Sequence, residues 1–400
     1  MQGKGQKMMK RFICLALAVI ICIAAFTACE KKNGTVEEEK PEEKTQEKEE
    51  TKVEKIEVDF SQKHIDKFTD IKDKITVFGR SPIDEKGLLT SWSNSGFEVS
   101  GYFSGTLKVY YSMITPGIHY HTTVDGKGDN FITIADDMNY FVAARFDKPG
   151  YHTVSVYKSE EATTNYFYLT AIEYKGMLDD KPLPKTMNIE IIGDSISCGT
   201  GLNAPNGLTH DAFYSYGSIL GRDLNANVSV VAVSGWGLSC GITDYNKVVP
   251  KIYDETAHFT EHTEKWDFEN NKADVVIVNL GTNDYTKYAN SDRTELYDNA
   301  NAFFDKLRSY YPDAYILFTY GMMSRIFIDD FKKIVAERND PKLEYFEVDA
   351  DTSGWGSHPD YNAHAQYAKL FGIRINELTK AFELKKEVNK IRSEREAMLG

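Results

Sequence analysis

The chain has 400 residues, 42% of them hydrophobic, which is enough to bury a substantial core and long enough for more than one domain. Its formal net charge of −13 argues against a nucleic-acid surface, because gripping phosphates needs a clustered excess of Lys and Arg. Much of the acidity is local. Residues 30–57, with runs such as Glu37-Glu38-Glu39, are almost all Glu and Lys and read as a solvated, disordered tether that has too little apolar surface to order itself.

Ahead of that tether, residues 1–29 read as a targeting segment. Lys10-Arg11 precede an uncharged run over 12–28, short for a bilayer span of about 20 residues and preceded by the basic start of a secretory signal. The run ends in Phe26-Thr27-Ala28-Cys29, which resembles a bacterial lipoprotein processing site, with Phe26 where Leu is usual. That resemblance implies a lipidated Cys29 and a stable membrane anchor, since more than one acyl chain is then buried. An uncleaved N-terminal anchor is the alternative. Either reading puts the rest outside the cytoplasm, lipid-anchored at the bacterial cell surface or secreted. Cys198 and Cys240 are close enough to the candidate site motifs for a disulfide, and equally suit two separate small hydrophobes. No Cys-x-x-Cys pattern points to zinc, and no cofactor is expected.

Residues 58–180 carry short runs rich in Val, Ile, Thr, Tyr and Phe, such as 97–100, 106–111, 119–124 and 152–157, punctuated by Asp125-Gly126 and Pro149-Gly150. This is the pattern of an all-β, jelly-roll-like sandwich. The Pro-containing stretch 177–184 reads as a linker. From residue 186 to 385 the rhythm changes to strand, loop, helix. Apolar runs at 188–192, 228–233, 274–280, 314–320 and 343–348 suit buried parallel strands, and 214–224, 294–310 and 329–338 have helical spacing. The expected fold is a three-layer α/β/α domain on five parallel strands, followed by a charged tail over 386–400.

In such sheets the reactive loops lie beyond the carboxyl ends of the strands, and four suitable residues fall there. Ser195, in Gly193-Asp194-Ser195, follows the first strand at an expected helix start, where free N–H groups favour developing negative charge. Alone it would read as a helix cap. Gly235 follows the second strand and has no Cβ to block a close backbone approach. Asn283, in Gly281-Thr282-Asn283-Asp284, offers a side-chain amide after the third. His358 follows the last strand and suits a general base. Together they describe nucleophilic acyl transfer, with Ser195 N–H, Gly235 N–H and Asn283 as oxyanion donors.

These blocks resemble the SGNH hydrolase superfamily, also called GDSL esterases, in which the matching Ser, Gly, Asn and His are catalytic. The chain is more closely similar to carbohydrate esterase family 2, in which a β-sandwich precedes the SGNH domain. Val124-Asp125-Gly126, His152-Thr153-Val154 and Val249-Pro250-Lys251-Ile252-Tyr253-Asp254 add to the likeness, which covers about 58–378. The resemblance implies removal of acetyl groups from xylan- or mannan-type cell-wall polysaccharide through an acyl-serine, without metal. A catalytically weak polysaccharide-binding lipoprotein and an SGNH lipase or thioesterase are the alternatives.

One position departs from the superfamily. The Asp usual three residues before the catalytic His is Trp355 here. The resemblance favours a Ser-His dyad whose imidazole is held by a backbone carbonyl, with Asp351 and Asp360 as alternative orienting groups. Trp236, Tyr285 and Trp355 are candidates for a sugar-binding platform. His119 and His121 alternate on one strand and read as exposed polar residues rather than metal or sugar ligands. Gly199-Thr200-Gly201 imitates a dinucleotide fingerprint but lies too far past its strand, and the Gly-x-Ser-x-Gly elbow of ordinary α/β-hydrolases is missing.

Overall fold

Two sheets of different kind follow one another along the chain. The computed structural model describes residues 55–112, 117–134 and 138–399. Targeting-segment and tether assignments, Cys29 included, lie outside the described residues apart from the last few of the tether.

The first sheet is antiparallel and nine-stranded: β1 (Lys63–Lys67), β2 (Ile75–Phe78), β3 (Ile83–Asp84), β4 (Gly87–Thr90), β5 (Gly96–Ser112), β6 (His119–Val124), β7 (Lys127–Thr133), β8 (Tyr140–Lys158) and β9 (Phe167–Leu178). Several predicted short strands are segments of longer ones. The runs at 97–100 and 106–111 are both β5, which pairs with β8 on one edge and β9 on the other, with register shifts along both. Such bulges bend and twist a long strand, so the sheet closes on a core of Phe68, Phe97, Phe103, Tyr120 and Phe167.

The second sheet is parallel, with spatial order β11-β10-β12-β13-β14: β10 (Asn188–Gly193), β11 (Asn227–Ala232), β12 (Val275–Asn279), β13 (Tyr315–Thr319) and β14 (Leu343–Tyr345). Val276 and Val278 point into one core and Val275 and Ile277 into another, so both faces are covered. The helices are α1 (Tyr216–Leu224), α2 (Val249–Ile252), α3 (Tyr285–Tyr288), α4 (Thr294–Tyr310), α5 (Ile328–Glu337), α6 (Tyr361–Thr379) and α7 (Ala381–Met398). Helices α4 and α5 cover the first face, and α1 and α6 the second. Strands β11 and β12 flank β10 and leave the chain's order reversed there, placing a switch-point crevice at the exit of β10.

The structure adds to two expectations and overturns a third. The charged stretch 386–400 is helical through Met398, as most of α7, and docks on the antiparallel sheet: Tyr102 donates to the Arg395 carbonyl at 2.7 Å, and Arg395 and Arg392 pair with Asp179 and Asp125. The division near residue 180 marks a change of sheet type inside one compact unit, Val53–Gly400. His121 is fully buried rather than exposed, and His119 is half-buried.

His121 clamps the two sheets' surroundings together. Its Nδ1 meets Asp129 on β7 at 2.5 Å and its Nε2 meets Asp211, ahead of α1, at 2.9 Å, with the ring stacked 4.2 Å from Phe213. Burial pushes the imidazole pKa down, but the bonds and charges of the two carboxylates outweigh it and hold the pKa above its ordinary 6.5. A raised folded-state value stabilises fully below the unfolded value, and this contribution is lost as pH rises through the folded one. Thermal unfolding of the chain from Val53 should therefore show a midpoint that falls from pH 6.5 upwards more steeply than in His121→Gln. Parallel pH curves for the two proteins would remove the charge from this clamp.

Candidate active site

Ser195, Gly235, Asn283 and His358 follow β10, β11, β12 and β14, and the fold gathers them at the carboxyl end of the sheet. The loop after β10 is not the start of a helix. Residues 194–201 form successive turns, held by Asp194 accepting from Ile196 N–H and by Ser195 C=O accepting from Thr200 N–H at 2.9 Å. Ser195 Oγ lies 2.9 Å from His358 Nε2, the hydrogen bond a nucleophile and its base require.

The other ring nitrogen faces a backbone carbonyl. His358 Nδ1 lies 3.2 Å from the carbonyl oxygen of Trp355, the residue that occupies the usual Asp position. Consecutive left-handed residues, Gly356 (φ 63°) and Ser357 (φ 62°), turn the chain tightly enough for the ring to reach back over that carbonyl. Gly201 braces the turn, its C=O accepting from Trp355 N–H at 2.8 Å. A Cβ there would stand 2.4 Å from the Trp355 oxygen and 2.7 Å from His358 Cβ, so only glycine fits. Neither alternative carboxylate reaches the ring. Asp351 accepts from Ser353 and from Asp360 N–H, and Asp360 caps α6 through Ala363 N–H. Burial lowers the His358 pKa below its usual 6.5, against the raising effect of the Trp355 and Gly356 backbone, so the ring is neutral and basic at pH 7.

The N–H groups of Ser195 and Gly235 donate to no acceptor among the described residues. Asn283 donates to the Trp236 carbonyl at 2.8 Å and reaches Asp194 only at 3.4 Å, leaving its second N–H weakly held. The three donors and the Ser-His pair are those of an acyl-transfer site.

The sequence reading passed over the residues that aim these donors. Asp284, next to Asn283 and fully buried, accepts from the N–H groups of Leu238, Ser239 and Cys240 at 2.7–2.9 Å and so fixes the loop that carries Gly235. Burial pushes Asp284 up to about 6 despite those bonds, and burial with Asp284 nearby pushes Asp194 up to about 7. A carboxylate directly after the Asn of a Gly-Thr-Asn-Asp block was the available signal. Cys198 and Cys240 are both free and buried, so no disulfide joins them. Of the aromatic candidates, Trp355 and Tyr285 are largely exposed, whereas Trp236 packs edge-on against His258 and Phe259.

Residues 191–372 match the GDSL-like Lipase/Acylhydrolase family. This part of the chain is a GDSL-like domain. Among curated proteins, the chain is 26% identical over 326 residues to the Cellulase/esterase CelE of Acetivibrio thermocellus, covering 73% of this chain but only 38% of that one. It is 25% identical over 261 residues to an acetylxylan esterase / glucomannan deacetylase of Cellvibrio japonicus, covering 62% of this chain and 71% of that one. A family two carbohydrate esterase from Cellvibrio japonicus superposes with a TM-score of 0.72 at 19% identity, over 80% of this chain and 99% of that one. One from Clostridium thermocellum, solved with cellohexaose, gives 0.66 at 24% identity, over 77% and 99%. The GDSL-like domain and the antiparallel sheet before it thus share their fold with these esterases.

The site geometry makes the two carboxylates dispensable and the amide essential. In pH–rate profiles on 4-nitrophenyl acetate, kcat/KM should rise with pH through an inflection below 6.5, unchanged in Asp351→Asn and Asp360→Asn. A loss of about four orders of magnitude in either variant would make that carboxylate a third catalytic member. Asn283→Ala should lower kcat about 100- to 1,000-fold, as loss of one oxyanion donor does.

Proposed function

We propose that this chain is a serine esterase that removes O-acetyl groups from xylan- or mannan-type polysaccharide through an acyl-serine intermediate. The observation that carries the reading is the continuous path from Ser195 Oγ through the His358 ring to the Trp355 carbonyl. His358 Nε2 takes the Ser195 proton as Oγ attacks the acetyl carbonyl, and the developing oxyanion meets the N–H groups of Ser195, Gly235 and Asn283. The proton then passes to the sugar oxygen as its bond to the acetyl carbon breaks, so that the sugar leaves with a free hydroxyl. Water, deprotonated by the same imidazole, releases acetate and restores Ser195.

The similarity to acetylxylan esterases and to an esterase solved with cellohexaose supports the carbohydrate assignment. The exposed rings of Trp355 and Tyr285 beside the site suit sugar stacking. The reading includes secretion and lipid anchoring through Cys29, which would hold the enzyme at the cell surface. Acetate release from acetylated xylan and acetylated glucomannan should be abolished in Ser195→Ala while glycan binding persists. Glycan binding without any Ser195-dependent release would mark a binding protein instead, and efficient cleavage of long-chain esters would favour a lipase.

A further inference from the structure

Glu161 belongs to the antiparallel sheet, in the turn between β8 and β9, yet it bonds to a loop of the GDSL-like domain. Its Oε2 accepts from the N–H of Ser234, the residue before Gly235, at 3.0 Å, and its Oε1 accepts from the Thr163 hydroxyl at 2.6 Å. Both carboxylate oxygens are thereby oriented. The turn that presents them is itself fixed. Lys158, fully buried, donates to the carbonyls of Glu160 at 2.8 Å and Glu161 at 3.2 Å. Ser159 N–H donates to the His119 carbonyl at 3.0 Å, and Ser159 C=O accepts from Ala212 N–H at 2.9 Å.

Ser234 also faces the nucleophile's loop. Its hydroxyl lies 2.9 Å from that of Thr200, and Thr200 N–H donates to the Ser195 carbonyl at 2.9 Å. One residue thus joins the antiparallel sheet, the Gly235 loop and the turns after Ser195. The consequence falls on the two backbone donors. The N–H of Gly235 lies in the peptide plane that Gly235 shares with Ser234, so whatever holds Ser234 aims that donor. An oxyanion donor acts only within hydrogen-bond reach of the developing charge, and small misplacements are costly.

We infer that Glu161 is a positioning residue for the oxyanion donors: by holding Ser234 it sets the N–H of Gly235 relative to that of Ser195. The inference rests on the esterase reading, and it gives the antiparallel sheet a part in transition-state stabilisation. The role calls for an acceptor rather than a charge. Gln at this position keeps an oxygen for Ser234 N–H, and the Thr163 hydroxyl can turn to accept from the amide, whereas Ala leaves that N–H without its partner.

The test uses the full chain and 4-nitrophenyl acetate, comparing Glu161→Ala, Glu161→Gln and Thr200→Val, the last of which cuts the link to Ser234 and leaves Glu161 intact. Acylation and deacylation both pass through an oxyanion, so the loss should fall on kcat and spare KM. In Glu161→Ala kcat should drop about tenfold or more with KM within about twofold, while Glu161→Gln stays within about threefold of the unmodified chain. Thr200→Val should lower kcat in the same way to a smaller degree, which keeps the test independent of whether Glu161→Ala folds. Unchanged kcat in both Glu161→Ala and Thr200→Val, a loss carried by KM, or a Gln variant as slow as the Ala variant would overturn the positioning role and leave the esterase standing. Absence of Ser195-dependent turnover of the aryl acetate by the unmodified chain would overturn the esterase reading, and the positioning role with it.

Discussion

The buried pair of Arg80 and Glu190 is the constraint on which the rest of the molecule depends. Arg80 leaves the end of β2 and reaches Glu190 on β10, at 2.9 Å, with both side chains almost wholly shielded from water. Its guanidinium also donates to the carbonyls of Tyr253 and Glu255 and lies over the Tyr253, Trp266 and Phe268 rings. Tyr253 donates to the other Glu190 oxygen. Removing one member would strand the other's charge in the interior, at a cost of about 3 to 5 kcal/mol. Hydrophobic burial alone tolerates small slides, but a buried charge-assisted hydrogen bond is directional. The strand that delivers Ser195 is therefore registered against the preceding sheet.

The same interface carries further directional bonds. Trp92 extends from the antiparallel side into the core on one face of the parallel sheet and donates to the Thr256 carbonyl at 2.8 Å. His121 holds Asp211, which caps the turn ahead of α1 and also accepts from Ser159. Glu161 holds Ser234, one residue before an oxyanion donor. An appended module attached by a linker would contact its neighbour through a patchy, exchangeable surface. Here the first sheet supplies part of the scaffold that aims the catalytic loop, which accounts for the two sheets forming one compact unit.

Much of this was legible in the sequence wherever local rules dominate. The five parallel strands and the helix over Thr294–Tyr310 fall where apolar runs and helical spacing put them, because buried strands and amphipathic helices leave period-specific patterns. The four site residues were legible because strand exits are where an open α/β sheet keeps its reactive loops. What escaped depends on partners distant in sequence. Glu190 lies inside an apolar run and reads as an interruption until Arg80, 110 residues earlier, is placed beside it. His121 looked like an outward-facing polar residue because neither Asp129 nor Asp211 announces itself as its partner. The last helix has a charged sequence with little apolar face, and its docking is set by Arg392 and Arg395 meeting acidic partners of the first sheet.

Trp355 in the place of Asp changes the electrostatics of the base more than its geometry. A carboxylate holds the imidazole's tautomer and also stabilises the positive charge that forms on it, whereas a peptide carbonyl does the first with only a dipole for the second. The ring is already biased towards neutrality by burial, so the imidazolium of the transition state must be stabilised from elsewhere. The nearby Asp194 is itself pushed up to about 7 by burial, which limits the negative charge it can lend at neutral pH, and the Asp284 carboxylate is occupied by three backbone N–H groups. On the esterase reading, transition-state stabilisation then leans on the opposite charge, the oxyanion, for which the N–H groups of Ser195 and Gly235 have no other acceptor among the described residues and Asp284 fixes the loop behind Gly235. The departure at Trp355 thus shifts the demand from the base to the donors. It also places an exposed indole beside the catalytic ring, at a position spent elsewhere on charge.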